Sequence, residues 1–128
     1  MFRSTKFWRA AYAVWFIVLC ILSSMSHPGP HVDVVGFDKV EHFTYFLLGG
    51  LALGLALSVD REMRPWLGWI ILLTGAVVGW FDEWHQSFTP GRSGLDIYDW
   101  VADALGSAAA ALTLGRVRRQ ILRDSKNV

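Results

Sequence analysis

The sequence has a single cysteine, Cys20, only four prolines, and a formal net charge of just +1. One cysteine excludes an intramolecular disulfide and any multi-cysteine metal site, and inside an apolar run it reads as a small inert hydrophobe. Leu19, not glycine or alanine, precedes it, which excludes a lipid-modified cysteine. There is no basic domain and no nucleic-acid-binding motif, so nucleic acid is not an expected partner. An HExxH pair, a phosphate-cradling glycine loop, a defensible Ser-His-Asp set, low-complexity tracts and internal repeats are also lacking. No metal site and no cofactor is assigned.

What is plentiful is apolar surface. The 128 residues are 53% hydrophobic, with seven Trp and eight Phe, and the mean hydropathy is +0.35. A soluble domain of this length has difficulty hiding so much apolar area, and the length allows one compact unit, not two. The apolar residues fall into long runs, which places the chain in the membrane class. Four spans are expected, over residues 7–25, 38–59, 66–86 and 96–114. Each is near the roughly 20 residues needed to cross the hydrocarbon core. The last two reach that length only with their charged ends in the headgroup layer. The expected fold is therefore all-α, a polytopic membrane bundle of four transmembrane helices forming a single domain over residues 1–128, with a basic tail from 115 to 128.

Positive charge sets the orientation. Arg3, Lys6 and Arg9 precede the first span, and Arg61 and Arg64 separate the second from the third. Arg116, Arg118, Arg119, Arg123 and Lys126 follow the fourth. Only Lys39 and Arg92 fall on the opposite side, which predicts that both termini are cytoplasmic. The first span is expected to be a retained anchor and not a cleaved signal peptide, because it is long for an h-region and contains Trp15. The breaker at residues 26–30, "SHPGP", ends it.

Helical spacing orders the polar residues into three stripes. The second span carries Asp38, His42, Tyr45, Gly49, Ala52 and Ala56. The third carries Gly75, Gly79, Asp82, Glu83 and Gln86. The fourth carries Asp96, Asp99, Asp103, Gly106, Ala110 and Thr113. Residues at such spacing share one side of a helix. Each stripe is small in its inner part, which lets backbones approach closely in lipid, and polar at its outer end. Polar groups in a span face the bundle or a wet cavity because lipid exposure is costly. The expectation is a tight bundle whose outer third holds a polar pocket.

Plainer roles compete at several positions. Asp38 with Glu41, and Asp96 with Asp99, can serve as helix caps. Lys39 can extend to the headgroups, Tyr45 can be core packing, and most of the Trp can be interface anchors. Asp82 and Glu83 resist such treatment, because they lie at a helix C-terminus, where the macrodipole opposes negative charge. Asp103 is one turn deeper than Asp99 and needs a partner, for which Arg92, Lys39, His42 and His85 are candidates. Arg92 rides on the Pro-Gly turn "TPGRSG", which can fold its guanidinium back over the pocket. A purely structural ion network is the competing explanation of the whole set.

Two segments, "DKVEHFTYFLLGG" (38–50) and "DEWHQSFTPGRSGLDIYDWVADALGS" (82–107), resemble the VanZ-like family of small bacterial membrane proteins, over about residues 35–112. The family pattern has Asp-Lys followed by His, then Glu-x-x-Gln, a Pro-Gly-Arg turn, paired Asp, and Asn before an Ala/Leu-Gly. Asp38, Lys39, His42, Glu83, Gln86, Arg92, Asp96, Asp99 and Gly106 occupy these positions. Asp103 departs from the pattern, standing where the family has the amide, and an acid there must be paired or protonated. The resemblance implies the bacterial cytoplasmic membrane, a cell-envelope setting, and a connection to glycopeptide susceptibility of the teicoplanin type. It implies no particular reaction.

Three functions are weighed on these residues. The favoured one is a non-catalytic envelope protein with an extracytoplasmic site. Arg92 and Lys39 would hold an anionic group of a lipid-linked or peptidoglycan-precursor ligand, with Glu83, Gln86 and His42 orienting polar groups. The alternative is a membrane enzyme acting on lipid-linked phosphate or peptidoglycan precursors by acid–base or metal-assisted chemistry, for which Mg²⁺ or Ca²⁺ suits the hard oxygen ligands. Its signal is thin, since Glu83 and His85 do not share a helix face. Ion or proton coupling through Asp103 ranks last, because nothing ionisable continues along the stripe toward the cytoplasm. Membrane lipids are expected partners; catalysis and oligomeric state are not assigned.

Overall fold

Long apolar stretches with few interior breakers form helices, and the breaks fall where backbone chemistry demands them. The computed structural model describes residues 2–26 and 36–124; most of the 26–30 breaker and Lys126 lie outside the described residues. Within these residues the chain is all-helical, with α1 over Thr5–Ser23, α2 over Phe37–Ser58, α3 over Leu67–Gln86 and α4 over Ile97–Asp124. Three of them, α1, α2 and α3, are long and apolar enough to cross a membrane.

α2 begins after Gly36, whose φ of +81° suits glycine alone among common residues. The helix thus starts at Phe37, and Asp38 sits inside its first turn with no side-chain cap bond formed. α4 is capped as expected at the other candidate: Asp96 Oδ1 accepts the Tyr98 N–H at 2.8 Å. Pro65 precedes the start of α3, where it cannot interrupt the ladder.

Successive helices run in opposite directions. At one end Arg118 of α4 donates to the carbonyls of Ser58 (2.7 Å) and Arg61 (2.6 Å), and Thr5 of α1 donates to Asp60 (3.2 Å). The guanidinium adds a second donor to the Ser58 carbonyl, which also accepts the Arg61 N–H, and engages the Arg61 carbonyl just beyond α2. At the other end the start of α2 meets the end of α3 and the start of α4. α4 packs most extensively on α2 and then on α3, while α1 lies against α2 with a lesser contact to α3.

The basic tail expected from residue 115 is not separate from the bundle, because α4 continues to Asp124. Leu114 is buried, and Val117 and Ile121, at steps of three and four, pack on the same apolar cluster of Leu55, Val59, Leu67, Ile71 and Ala110. At 1.5 Å per residue, the 28 residues of α4 extend about 42 Å.

Small residues allow the close approach. A Cβ at Gly50 would lie 2.7 Å from the Ala110 methyl, and one at Gly106 would strike the Phe43 carbonyl oxygen and reach 3.0 Å from the Leu47 nitrogen. α1 is joined to α2 by a reciprocal pair of bonds. Trp15 Nε1 donates to the Tyr45 carbonyl (2.9 Å) and Tyr45 Oη donates to the Trp15 carbonyl (2.8 Å), with the rings stacked at 5.4 Å. Trp66, Trp69, Trp80 and Trp84 face outward, together with Val14, Leu48, Leu73, Val77, Leu105 and Leu112.

Candidate functional site

The start of α2, the end of α3, the loop after it and the start of α4 bring Asp38, Lys39, His42, Asp82, Glu83, Gln86, Arg92, Asp96, Asp99 and Asp103 to one end of the bundle. Their burial is unusual for charged groups: Asp82 is 7% exposed, Glu83 2%, Gln86 5%, Asp99 8% and Asp103 0%. The convergence follows from the stripes. The glycines and alanines that let the backbones close up lie on the same faces, so the outer ends of those faces meet.

Lys39 is the hub. Its ammonium lies 2.8 Å from Asp38 Oδ2, 3.0 Å from Asp96 Oδ2 and 2.8 Å from Asp99 Oδ1. It therefore neither extends to solvent alone nor stands free to hold an anion, because three carboxylates already surround it. The Lys39 ammonium and the Tyr98 N–H hold the Asp96 carboxyl below the usual carboxylate range. Asp38 is the most open member, with its side chain 56% exposed.

One turn deeper, His42 Nδ1 is 2.9 Å from Asp103 Oδ1, and His42 Nε2 is 3.9 Å from Asp99 Oδ2. Of the four candidate partners for Asp103, the structure selects His42. Asp103 Oδ2 is buried without a donor. It faces Gly79, where a Cβ would lie only 2.7 Å away, so glycine at that point makes room for the carboxylate.

Glu83 fastens the α3–α4 loop. Its carboxylate Oε2 accepts the Asp96 N–H at 2.8 Å and its backbone carbonyl accepts the Leu95 N–H at 3.1 Å. Drawing the loop in this way leaves Leu95 at φ +62°, a left-handed conformation that a leucine rarely adopts. Glu83 Oε1, also buried, has no donor.

A second set continues along the end of α3. Gln86 Nε2 donates to Asp82 Oδ2 at 2.7 Å, and the Gln86 carbonyl oxygen accepts from both Nε (3.1 Å) and Nη2 of Arg92. The Pro90-Gly91 turn, with Gly91 at φ +80°, thus folds the guanidinium back over the helix end. Arg92 has no carboxylate within ion-pair distance among the described residues.

His85 forms no ion pair with the acids among the described residues and meets Asp82 only through Ser23. Its Nδ1 is 3.0 Å from Ser23 Oγ of α1, and Thr89 donates to the Ser23 carbonyl at 3.1 Å. Ser23 and Thr89 were not singled out from the sequence; a serine ending an apolar run and a threonine before Pro-Gly give no signal there. The sequence assigned no metal ligands either. Yet one ligand atom each from His42, Glu83 and Asp99, on three different helices, lie within 4.8 Å of one another.

These features define an all-helical protein with three helices able to cross a membrane and an acid-rich, largely buried network at one end. No family model, curated protein or solved structure matches the chain.

Proposed function

We propose that the chain is a VanZ-like, multi-pass protein of the bacterial cytoplasmic membrane that binds an anionic envelope ligand on its external face through Arg92. α4 is the fourth span, and both termini are cytoplasmic. Support for a fourth span comes from the pairing of Asp99 with Lys39 and of Asp103 with His42. Acids inside a span are tolerated when they face partners and not lipid. Arg3, Arg61, Arg64, Arg116, Arg118 and Arg119 all belong to the end opposite the acidic network, the distribution that cytoplasmic segments carry.

One observation carries the ligand reading. The Arg92 guanidinium is half-buried and oriented by a neutral acceptor, Gln86, and among the described residues no carboxylate lies within ion-pair distance of it, Asp82 acting on it only at longer range. Such a group is suited to a lipid phosphate or a precursor carboxylate, both of which guanidinium engages bidentately. Lys39, expected beside it as a second anion contact, belongs instead to the carboxylates.

The test uses the full chain in lipid nanodiscs and a polyprenyl phosphate as probe. Arg92→Ala is expected to weaken binding at least about tenfold, from the 1.5–3 kcal/mol of a charge-assisted hydrogen bond. It should leave insertion and helical content unchanged. A folded Arg92→Ala protein that binds like wild type refutes the proposal. In cells the same variant is expected to alter susceptibility to a teicoplanin-type glycopeptide.

The unpartnered oxygens of Glu83 and Asp103 favour a second reading, a membrane enzyme acting on lipid-linked phosphate by acid–base or metal-assisted chemistry. Release of phosphate by wild type and its loss in Glu83→Gln would establish that reading. No release by protein that binds the probe would remove it.

A further inference from the structure

We infer that His42, Glu83 and Asp99 form a binding site for one divalent transition-metal ion, Zn²⁺ or Mn²⁺, at the polar end of the bundle. The inference goes beyond anion binding and stands without it, since the site needs no anionic ligand to form.

Geometry comes first. Three helices each deliver one ligand atom to a region 4.8 Å across, so small side-chain movements close the set around an ion. The three ligands are one imidazole and two carboxylates, which leaves open coordination positions for water or an anion.

A second observation is independent of proximity. Glu83 is 2% exposed, and its Oε1 has no hydrogen-bond donor, while Oε2 is occupied by the Asp96 N–H. A buried carboxylate oxygen with nothing to receive is costly, and a cation is the partner that its position admits. Asp99 is similarly divided: Oδ1 is paired with Lys39, and Oδ2 is turned toward His42 Nε2 at 3.9 Å.

His42 is oriented as a ligand. Its Nδ1 faces Asp103 Oδ1 at 2.9 Å and its Nε2 faces Asp99, so on metal binding Nδ1–H would stay with Asp103 while Nε2 gives up its proton and takes the ion. Metal-bound histidines commonly have this arrangement, with a carboxylate behind the ring that fixes the tautomer and raises ligand basicity. Asp103 is in this respect a positioning residue and not a ligand. The side chains of His42 and Asp99 keep 16% and 12% exposure, which provides a route of entry from the end of the bundle.

Charge balance points the same way. Asp82, Glu83, Asp99 and Asp103 are all buried; Lys39 is shared with two further acids, His42 faces Asp99 and Asp103, and Arg92 acts on Asp82, so the acids still outnumber the cations around them. The imidazole selects the ion: a mixed nitrogen and oxygen set suits Zn²⁺ or Mn²⁺, whereas Mg²⁺ and Ca²⁺ take oxygen ligands.

The experiment uses chelator-treated, full-length protein in detergent, titrated with Zn²⁺, Mn²⁺, Mg²⁺ and Ca²⁺ by calorimetry. The Mn²⁺-loaded protein is also prepared with ¹⁵N-labelled histidine for pulsed electron paramagnetic resonance. Expected are one Zn²⁺ or Mn²⁺ per chain, histidine-nitrogen coupling to Mn²⁺, and loss of binding in Glu83→Gln and Asp99→Asn. Asp103→Asn should retain the stoichiometry with affinity lowered about 10- to 100-fold, and His85→Ala should bind like wild type. Several results overturn the inference: no uptake by folded wild type, wild-type affinity in folded Glu83→Gln, or tighter binding of Mg²⁺ or Ca²⁺. Should the variants fail to fold, absence of histidine coupling in the wild-type Mn²⁺ spectrum overturns it alone.

Discussion

Removing the imidazole of His42 should expose the energetics of the buried network most directly. Asp103 is 0% exposed, its Oδ2 has no donor, and the one donor to its Oδ1 is His42 Nδ1 at 2.9 Å. His42→Ala therefore leaves a buried carboxylate with neither oxygen satisfied. Breaking a buried ion pair by deleting one partner costs about 3–5 kcal/mol, mostly for the stranded charge. The 16% exposure of the His42 side chain lets water into part of the vacated space and places the expectation near the lower bound, about 3 kcal/mol. The second substitution separates stranded charge from lost packing. In His42→Ala with Asp103→Asn the stranded group is a neutral amide, whose unmet bonds cost about 1–3 kcal/mol. Taking about 2 kcal/mol for the amide, the middle of that range, the double variant should be more stable than His42→Ala by about 1 kcal/mol, though it carries one more mutation. Reversible unfolding of the purified chain, with chelator present to exclude metal, measures both. A double variant no more stable than His42→Ala would refute the claim that the imidazole neutralises Asp103.

Other consequences can be tested with the same unfolding measurement. Gly106→Ala places a methyl against the Phe43 carbonyl and should cost about 1–3 kcal/mol by overpacking, whereas Gly68→Ala, whose nearest neighbour is 3.7 Å away, should be neutral within about 0.5 kcal/mol. Leu95→Gly relieves a left-handed leucine and should leave stability unchanged or raise it by up to about 1 kcal/mol, against the usual sign for leucine to glycine. The lowered pKa of Asp96 gives a stabilising contribution that is fully present above its unfolded value, about 3.9, and is lost as pH falls through the lower folded value. Acid unfolding of Asp96→Asn should lack that component in the same window.

How much of this was readable beforehand depends on whether the information lay within one helix or between helices. The spacing of Asp38 and His42, and of Asp99 and Asp103, put each pair on one face, and the faces did meet. The Pro-Gly turn was enough to predict that Arg92 folds back. The cap at Asp96 was readable as well; at Asp38 it was not, because left-handed Gly36 starts the helix two residues earlier than the acid signal implies. Lys39 was misjudged for a different reason. Asp96, just before α4, and Asp99 on it arrive 57 or more residues later in the chain, and nothing local distinguishes a lysine that reaches headgroups from one enclosed by acids. The arginines after residue 115 obscured the stripe of Leu114, Val117 and Ile121, which continues the helix. His85, two residues from Glu83, is turned away from that acid toward α1, as helix geometry requires.

The polar network is poorly accounted for as a means of holding the helices together. Backbone approach at Gly50 and Gly106, the apolar cluster around Leu55 and Leu114, and the Trp15–Tyr45 bonds already join the helices without any ionised group. Burying ion pairs commonly costs as much as it returns, and well-packed apolar residues of similar size often serve stability better. A network that existed for stability would also satisfy its own atoms, because a half-satisfied one is worse than an apolar core. Among the described residues, two of the most deeply buried oxygens, Glu83 Oε1 and Asp103 Oδ2, have no donor, and the neighbouring guanidinium of Arg92 has no carboxylate within ion-pair distance. Unmet negative charge at the centre and unmet positive charge at the rim are what a site would show if a cation and an anionic group were to complete it. Replacing Glu83 by leucine removes the acceptor of the Asp96 N–H together with the buried charge, so the metal-free protein should lose no more than the about 0.5–1.5 kcal/mol of that hydrogen bond while metal uptake is eliminated. A large loss of stability without metal would instead mark Glu83 as a structural clamp for the α3–α4 loop.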